Sequence, residues 1–192
     1  MGKENNLSAD QAIVAGILSG NTQDFAVIVK NTERLVTHIV RKMTVGQDDQ
    51  KDLVQNIYLK VFQNLPSFQY QSKLSTWIAQ IAYHTTVSYL QKKKIPILDI
   101  AENSESRSAQ SEDIELEIFR KEMLAVLDIE LHKLPPLYKT LLTLYHLEEL
   151  SNKEIAEITK LPEGTIKSYL YRARKILKDN INRHYNISHH EK

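Results

Sequence analysis

Residues 150–178, LSNKEIAEITKLPEGTIKSYLYRARKILK, admit few folds, because a short capped helix, a tight corner and a longer helix can be read from them directly. Ser151 is a good N-cap for a helix over 152–158, and Glu154 stands at its third position, completing a capping box. Thr159, Lys160 and Leu161 make the corner. Pro162 follows at a helix entry, where its missing N–H costs nothing. In the second helix Ile166, Leu170, Ala173 and Leu177 recur at steps of four, three and four, a buried stripe for which Ile155 and Ile158 are the natural partners.

The other side of that helix carries Gly164, Lys167, Ser168, Tyr171, Arg172 and Lys175. A charged face alone reads as solvated surface. Small, hydroxyl, aromatic and cationic groups behind a capped helix and a corner instead suit a major groove, where N-terminal residues reach base edges and cations hold phosphates. Seven Lys or Arg stand against two Asp or Glu between 160 and 183, so the charge lies where that reading needs it.

The net charge of +1 hides a segregation along the chain. Residues 1–98 carry eleven basic and seven acidic side chains, 99–130 three and ten, and 131–192 eleven and seven. Two basic modules joined by an acidic connector follow. The absence of cysteine excludes disulfides, thiolate metal sites and cysteine nucleophiles, and fits a reducing cytoplasm. Apolar runs fall well short of the ~20 residues of a membrane span, so no membrane insertion is expected.

In chain order, Ser8 caps a helix to about Leu18, which Gly20-Asn21 ends. Phe25, Ile28, Val29, Leu35, Val36, Ile39, Val40 and Met43 hold a helical period to the Val45-Gly46 break. Asp48 opens a third helix with the stripe Leu53, Val54, Ile57, Val61, Phe62 and Leu65, stopped by Pro66; Asp52, Gln55, Asn56 and Lys60 lie off it. Residues 67–75 have no helical period and carry two aromatics. The helix that follows buries Trp77, Ile78, Ile81, Ala82 and Thr85, offers His84, Ser88 and Gln91 to a second surface, and ends in Lys92, Lys93 and Lys94. An aromatic loop beside a basic helix end suits unpaired bases and their phosphates, although Trp77 alone reads as core. Residues 96–113 are acidic and aperiodic and read as a flexible linker. Helices return near Ile114 and at 137–147, and the end of the chain, NISHHEK from Asn186, is expected to fray.

With both halves in view, the chain resembles the extracytoplasmic-function (ECF) sigma factors, small members of the sigma-70 family of RNA polymerase initiation subunits. DLVQNIYLKVF at 52–62 is similar to the family's polymerase-binding helix, LSTWIAQIAYHTTVSYLQKKK to its promoter-melting helix, and residues 134–177 to its second DNA-binding domain. The resemblance implies an all-α fold of two small helical domains: a region-2-like domain over 1–95, the linker 96–113, a region-4-like helix-turn-helix domain over 114–183 and a tail over 184–192. It implies that Asp52, Gln55, Asn56 and Lys60 meet the polymerase. Gln69, Lys73, Ser75, Thr76, Trp77, His84, Lys92 and Lys93 would serve the minus-ten element, where the loop 69–74 and the next helix capture a flipped base. Ser151, Lys153, Glu163, Gly164, Thr165, Lys167, Ser168, Tyr171, Arg172, Arg174 and Lys175 would serve the minus-thirty-five element, the last three cations mostly at phosphates. Core RNA polymerase and promoter DNA are the implied partners, an anti-sigma protein the implied inhibitor, and no cofactor or metal is implied.

The chain departs from the family's usual pattern at Asn56 (commonly Glu), His84 (Asn), Ser88 (Asp), Lys160 (Gly) and Tyr169 (Arg). The identity of the promoter bases therefore does not carry over. A helix-turn-helix regulator that acts without polymerase is the alternative reading, and it leaves the N-terminal half unexplained. An enzyme has only His184, His189, His190 and scattered carboxylates to offer, with no ligand set on a rigid element and no phosphate-binding glycine loop.

Overall fold

The structure, a computed structural model, describes residues 2–95, 97 and 115–190, with side chains described for 9–95, 97 and 123–183. Eight α-helices make up the described residues, with no strand among them: α1 Gly2–Leu18, α2 Phe25–Met43, α3 Gln47–Asn64, α4 Leu74–Lys92, α5 Glu115–Lys133, α6 Pro136–His146, α7 Asn152–Thr159 and α8 Glu163–His190. Short 3-10 turns at Thr22–Asp24 and Leu65–Ser67 lead into α2 and out of α3.

Local chemistry sets most boundaries. Gly20 and Gly46 take φ of 108° and 104°, in the region that favours glycine, and so permit the turns before α2 and α3. Asp48 and Asp49 lie in the first turn of α3, where carboxylates complement the helix dipole. Pro136 opens α6 in the position a helix tolerates. At Ser151 the capping box is complete: its hydroxyl accepts from the Glu154 N–H, while the Glu154 side chain accepts from the Ser151 N–H.

The first module packs α2, α3 and α4 around Val36, Ile39, Ile57, Val61, Ile78 and Ala82, all essentially inaccessible. Tyr58, outside the expected stripe, is buried too, its hydroxyl 3.1 Å from Thr32 Oγ1. The second module packs α5 to α8 around Leu141, Leu144, Ile155, Ile158, Ile166 and Ala173. The modules also pack on each other: α6 lies against α2, and α7 against α4, so one apolar cluster runs through both. Burial of α4 on two sides accounts for the coverage of Leu74, Tyr83, Thr86 and Leu90 besides the expected face.

Two expectations change in detail. Helix α1 begins at Gly2 rather than at the Ser8 cap, and α8 continues to His190, so residues 186–190, expected to fray, extend that helix. The acidic linker over 96–113 lies outside the described residues except for Ile97, whose carbonyl accepts from the Leu137 N–H at 3.1 Å and so tethers the end of the first module to the start of α6.

Lys160 follows α7 with φ 60° and ψ 20°, a left-handed conformation in which a Cβ is strained. Lys160→Gly is therefore expected to raise the unfolding free energy by up to about 1 kcal/mol in a urea titration. Unchanged or lower stability would show that contacts of the lysine side chain outweigh the strain.

Candidate nucleic-acid interface

The C-terminal module presents one open face. Its apolar stripe, Ile166, Leu170, Ala173 and Leu177, is turned inward, which leaves Glu163, Gly164, Lys167, Ser168, Arg172 and Lys175 exposed along α8, with Tyr171 67% exposed among them. Ser151 and Lys153 are exposed at the start of α7, and Thr165 is half-buried. The Ser168 hydroxyl donates to the Thr165 carbonyl at 2.8 Å, leaving its lone pairs free toward solvent. One cation behaves differently from the rest. Arg174 turns back toward α6, with its guanidinium 5.2 Å from the Tyr145 ring centre and within 3.4 Å of His146 Nε2. Tyr169, at the position where the resemblance leads one to look for arginine, is half-buried with its ring 5.6 Å from that of Tyr138.

The first module carries the aperiodic loop. Phe68 is buried and its ring lies 4.7 Å from Tyr70 and 5.2 Å from Trp77, so the loop stands on an aromatic floor. Tyr70 takes φ 57°, which turns the chain back over that floor and leaves Gln69 and Gln71 exposed. Beside it a cavity of about 360 Å3 is bounded by Gln69, Ser72, Trp77 and Gln80, and closed on its far side by Glu157 and Lys160 of α7. Ser75 is half-buried, but Thr76 is only 4% exposed and does not reach this surface. His84 faces α7; burial, and then the Lys160 charge, hold its imidazole below the ordinary histidine value, and Nε2 has no hydrogen-bond partner.

The basic end of α4 is partly engaged. Lys93 Nζ lies 2.8 Å from Asp49 Oδ2. This hydrogen bond lowers the Asp49 pKa and pushes that of Lys93 up to about 12, with the neighbouring Tyr89 hydroxyl acting in the same direction on each. Lys92 is exposed. On α3, Asp52, Gln55 and Asn56 share one exposed face with Leu59, 56% exposed, whereas Lys60 turns toward α4 and donates to Thr85 Oγ1 at 3.3 Å.

Polar pairs that the sequence did not reveal hold the modules together. Arg34 donates to the Leu147 carbonyl at 2.8 Å and to Glu148 at 3.2 Å, and His38 Nδ1 contacts the same carboxylate. Lys73, at the end of the aperiodic loop, lies 2.7 Å from Oε1 of Glu154, whose Oε2 accepts from the Ser151 N–H and hydroxyl. Burial pushes the Glu154 pKa up, but the bonds from Lys73 and Ser151 together hold it below the usual carboxylate value. Each pair joins residues 80 or more positions apart, so no local pattern could have found them.

Among the described residues no helix is long and apolar enough to cross a membrane, and no three His, Cys, Asp or Glu side chains gather as a metal site. The side chains of His184, His189 and His190 lie outside the described residues.

Comparison with known proteins joins the two surfaces. The sigma-70 region 2 family matches residues 28–95 and the sigma-70 region 4 family residues 127–177. The ECF RNA polymerase sigma-E factor of Haemophilus influenzae is 32% identical over 180 residues, which cover 90% of this chain and 95% of that protein. The Escherichia coli protein of the same name is 31% identical, covering 90% and 94%. In fold, the chain is similar to CnrH, solved in complex with the cytosolic domain of CnrY, with a TM-score of 0.64 at 17% identity over 91% of this chain and 98% of that one. It is also similar to RpoE of Bartonella quintana, solved with the anti-sigma factor NepR, with a TM-score of 0.60 at 21% identity over 83% and 98%.

The Lys73–Glu154 pair yields a titration test. A carboxylate whose folded pKa is depressed stabilises the structure above its unfolded pKa, and that contribution is lost as pH falls through the folded value. The contact between α4 and α7 should therefore loosen at acid pH. Replacing Lys73 by Met should move the Glu154 midpoint upward in a carboxyl-carbon NMR titration, and an unmoved midpoint would show that the pair does not form in solution.

Proposed function

Because the chain belongs to the ECF group of the sigma-70 family, we propose that it binds core RNA polymerase in the cytoplasm and directs promoter recognition, melting and the start of transcription. The observation that carries this reading is the pairing, in one chain, of an open basic recognition helix with a second module whose loop stands on an aromatic floor beside a cavity. On this reading Glu163, Thr165, Lys167, Ser168 and Tyr171 meet bases of the minus-thirty-five element, and Arg172 and Lys175 meet phosphates. The loop from Gln69 to Lys73 with Ser75 and Trp77 takes the extruded minus-ten base, and Asp52, Gln55 and Asn56 meet the polymerase. The function requires no chemistry from side chains, only binding and strand separation.

The packing of the modules bears on when this happens. The two elements are roughly 25 positions apart by their own names, on the order of 80 Å along B-form DNA at about 3.4 Å per base pair. Helices α4 and α7 are in direct contact, so one duplex cannot engage both modules until they part. The same contact walls off the cavity beside Trp77 with Glu157 and Lys160. The arrangement is that of a chain at rest, and binding to polymerase is the event that separates the modules, through differential affinity for the open form. A protein that bridged the modules would hold them closed by mass action, which is the part an anti-sigma partner would play. Affinity purification from non-inducing cells tests this: a stoichiometric non-polymerase partner supports it, and recovery of only free protein and core enzyme across growth conditions refutes it.

Two experiments separate this reading from a regulator that acts alone. The purified chain should bind duplex promoter DNA weakly at physiological salt and tightly once core enzyme is added; tight, sequence-specific binding by the chain alone would favour the regulator. With holoenzyme, Lys175→Ala should weaken binding to all sequences and lower the salt slope by about 1, whereas Lys167→Ala should change the ranking of minus-thirty-five variants. Identical rankings for wild type and Lys167→Ala would remove that lysine from base readout.

A further inference from the structure

Helix α4 begins where the aperiodic loop ends, at a residue that cannot cap it. Lys73 occupies the N-cap position with φ −59° and ψ 145°, and its side chain makes no capping bond. An ammonium group there cannot accept the first N–H groups of the helix, and it opposes the helix dipole. The missing acceptor comes from another helix. Asp10 of α1, 64 positions away, accepts the Leu74 N–H on Oδ2 at 2.9 Å. The carboxylate thus provides the hydrogen bond of a cap and the negative charge that a helix N-terminus favours.

Asp10 is itself held in place. Val14 and Ile17, one and two turns further along α1, are buried in the core, and Ile13 packs against it. Gly16 brings α1 against the turn before α2 so closely that a Cβ would stand 2.6 Å from an Asp24 oxygen. The loop is therefore clamped at both ends, by the stack of Phe68 and Trp77 on one side and by the bond from Asp10 to Leu74 on the other. Between the clamps lie Gln69 to Lys73, and Ser75 follows within the first turn.

We propose that Asp10 is a positioning residue for promoter melting: by capping α4 from α1 it fixes the loop that receives the extruded base. It touches no DNA. A pocket that compensates unstacking must already be formed when the base arrives, so slack in the loop costs selectivity at that base and yield of melted promoter. This rests on the reading of the loop as the minus-ten pocket, and the experiment is arranged to separate the two.

Full-length Asp10→Ala and Asp10→Asn chains, and a chain with residues 69–74 replaced by a glycine-serine loop, are assembled with core polymerase on duplex and pre-melted promoters carrying each base at the extruded position. Asp10→Ala should keep polymerase affinity within about twofold, lose tenfold or more in open-complex yield on the duplex, flatten the preference among the four bases, and recover on pre-melted DNA. Asp10→Asn keeps an acceptor oxygen and should restore most of both losses. Wild-type base preference and yield in Asp10→Ala, with the loop replacement inactive, would overturn the inference and leave the minus-ten reading standing. Full activity of the loop replacement would overturn that reading and the inference with it. Equal defects in the Ala and Asn chains together with lost polymerase affinity would mark Asp10 as a general stabiliser and overturn the inference.

Discussion

Everything in this chain depends on α4 being covered on both sides. One face completes the core of the first module with Ile78 and Ala82, and the other receives α7 of the second. A helix covered in this way has little surface left for function, and what remains is at its two ends. The N-terminal end carries the loop on its aromatic floor, and the C-terminal end carries the lysines. Covering apolar area on both faces stabilises the closed chain at roughly 25 cal/mol per Å2, while the polar pairs around it, Lys73 with Glu154 and Arg34 with Glu148, add direction more than energy because their cations are 45% and 69% exposed.

Charge explains which cations remain available. Lys73 is engaged by Glu154, Lys93 by Asp49, Arg174 by Tyr145 and His146, and Lys60 by Thr85, so four side chains expected at nucleic acid or polymerase already have partners inside the chain. Lys92, Lys167, Arg172 and Lys175 are exposed. The free electrostatic surface is therefore narrower than a count of basic residues implies, and most of it lies along α8.

Much of this was legible from residue order alone. The corner at 159–162, the capping box and the inward stripe of α8 follow from local chemistry, and the structure has them where the sequence puts them. What was not legible has one cause. Periodicity reports that a residue is buried but not by what, so the coverage of Thr76, Tyr83 and Thr86, and the exposure of Phe62, depend on neighbours far away in sequence. The cap from Asp10 escaped for the same reason, since capping rules look for the acceptor beside the helix it serves. Tyr169 shows the converse: a departure from the family pattern serves as a packing contact with Tyr138.

The division of labour within the Glu154 carboxylate has a mechanical consequence. Oε2 serves Ser151 and so closes the first turn of α7, while Oε1 alone faces Lys73 across the module boundary. The seam between modules and the fastening of the recognition unit meet at one side chain but on different atoms. Parting the seam releases a half-exposed ion pair, worth on the order of 0–1 kcal/mol, and leaves the fastening untouched. The helix-turn-helix can thus swing free as a finished part, with no refolding step between the closed chain and one able to read DNA.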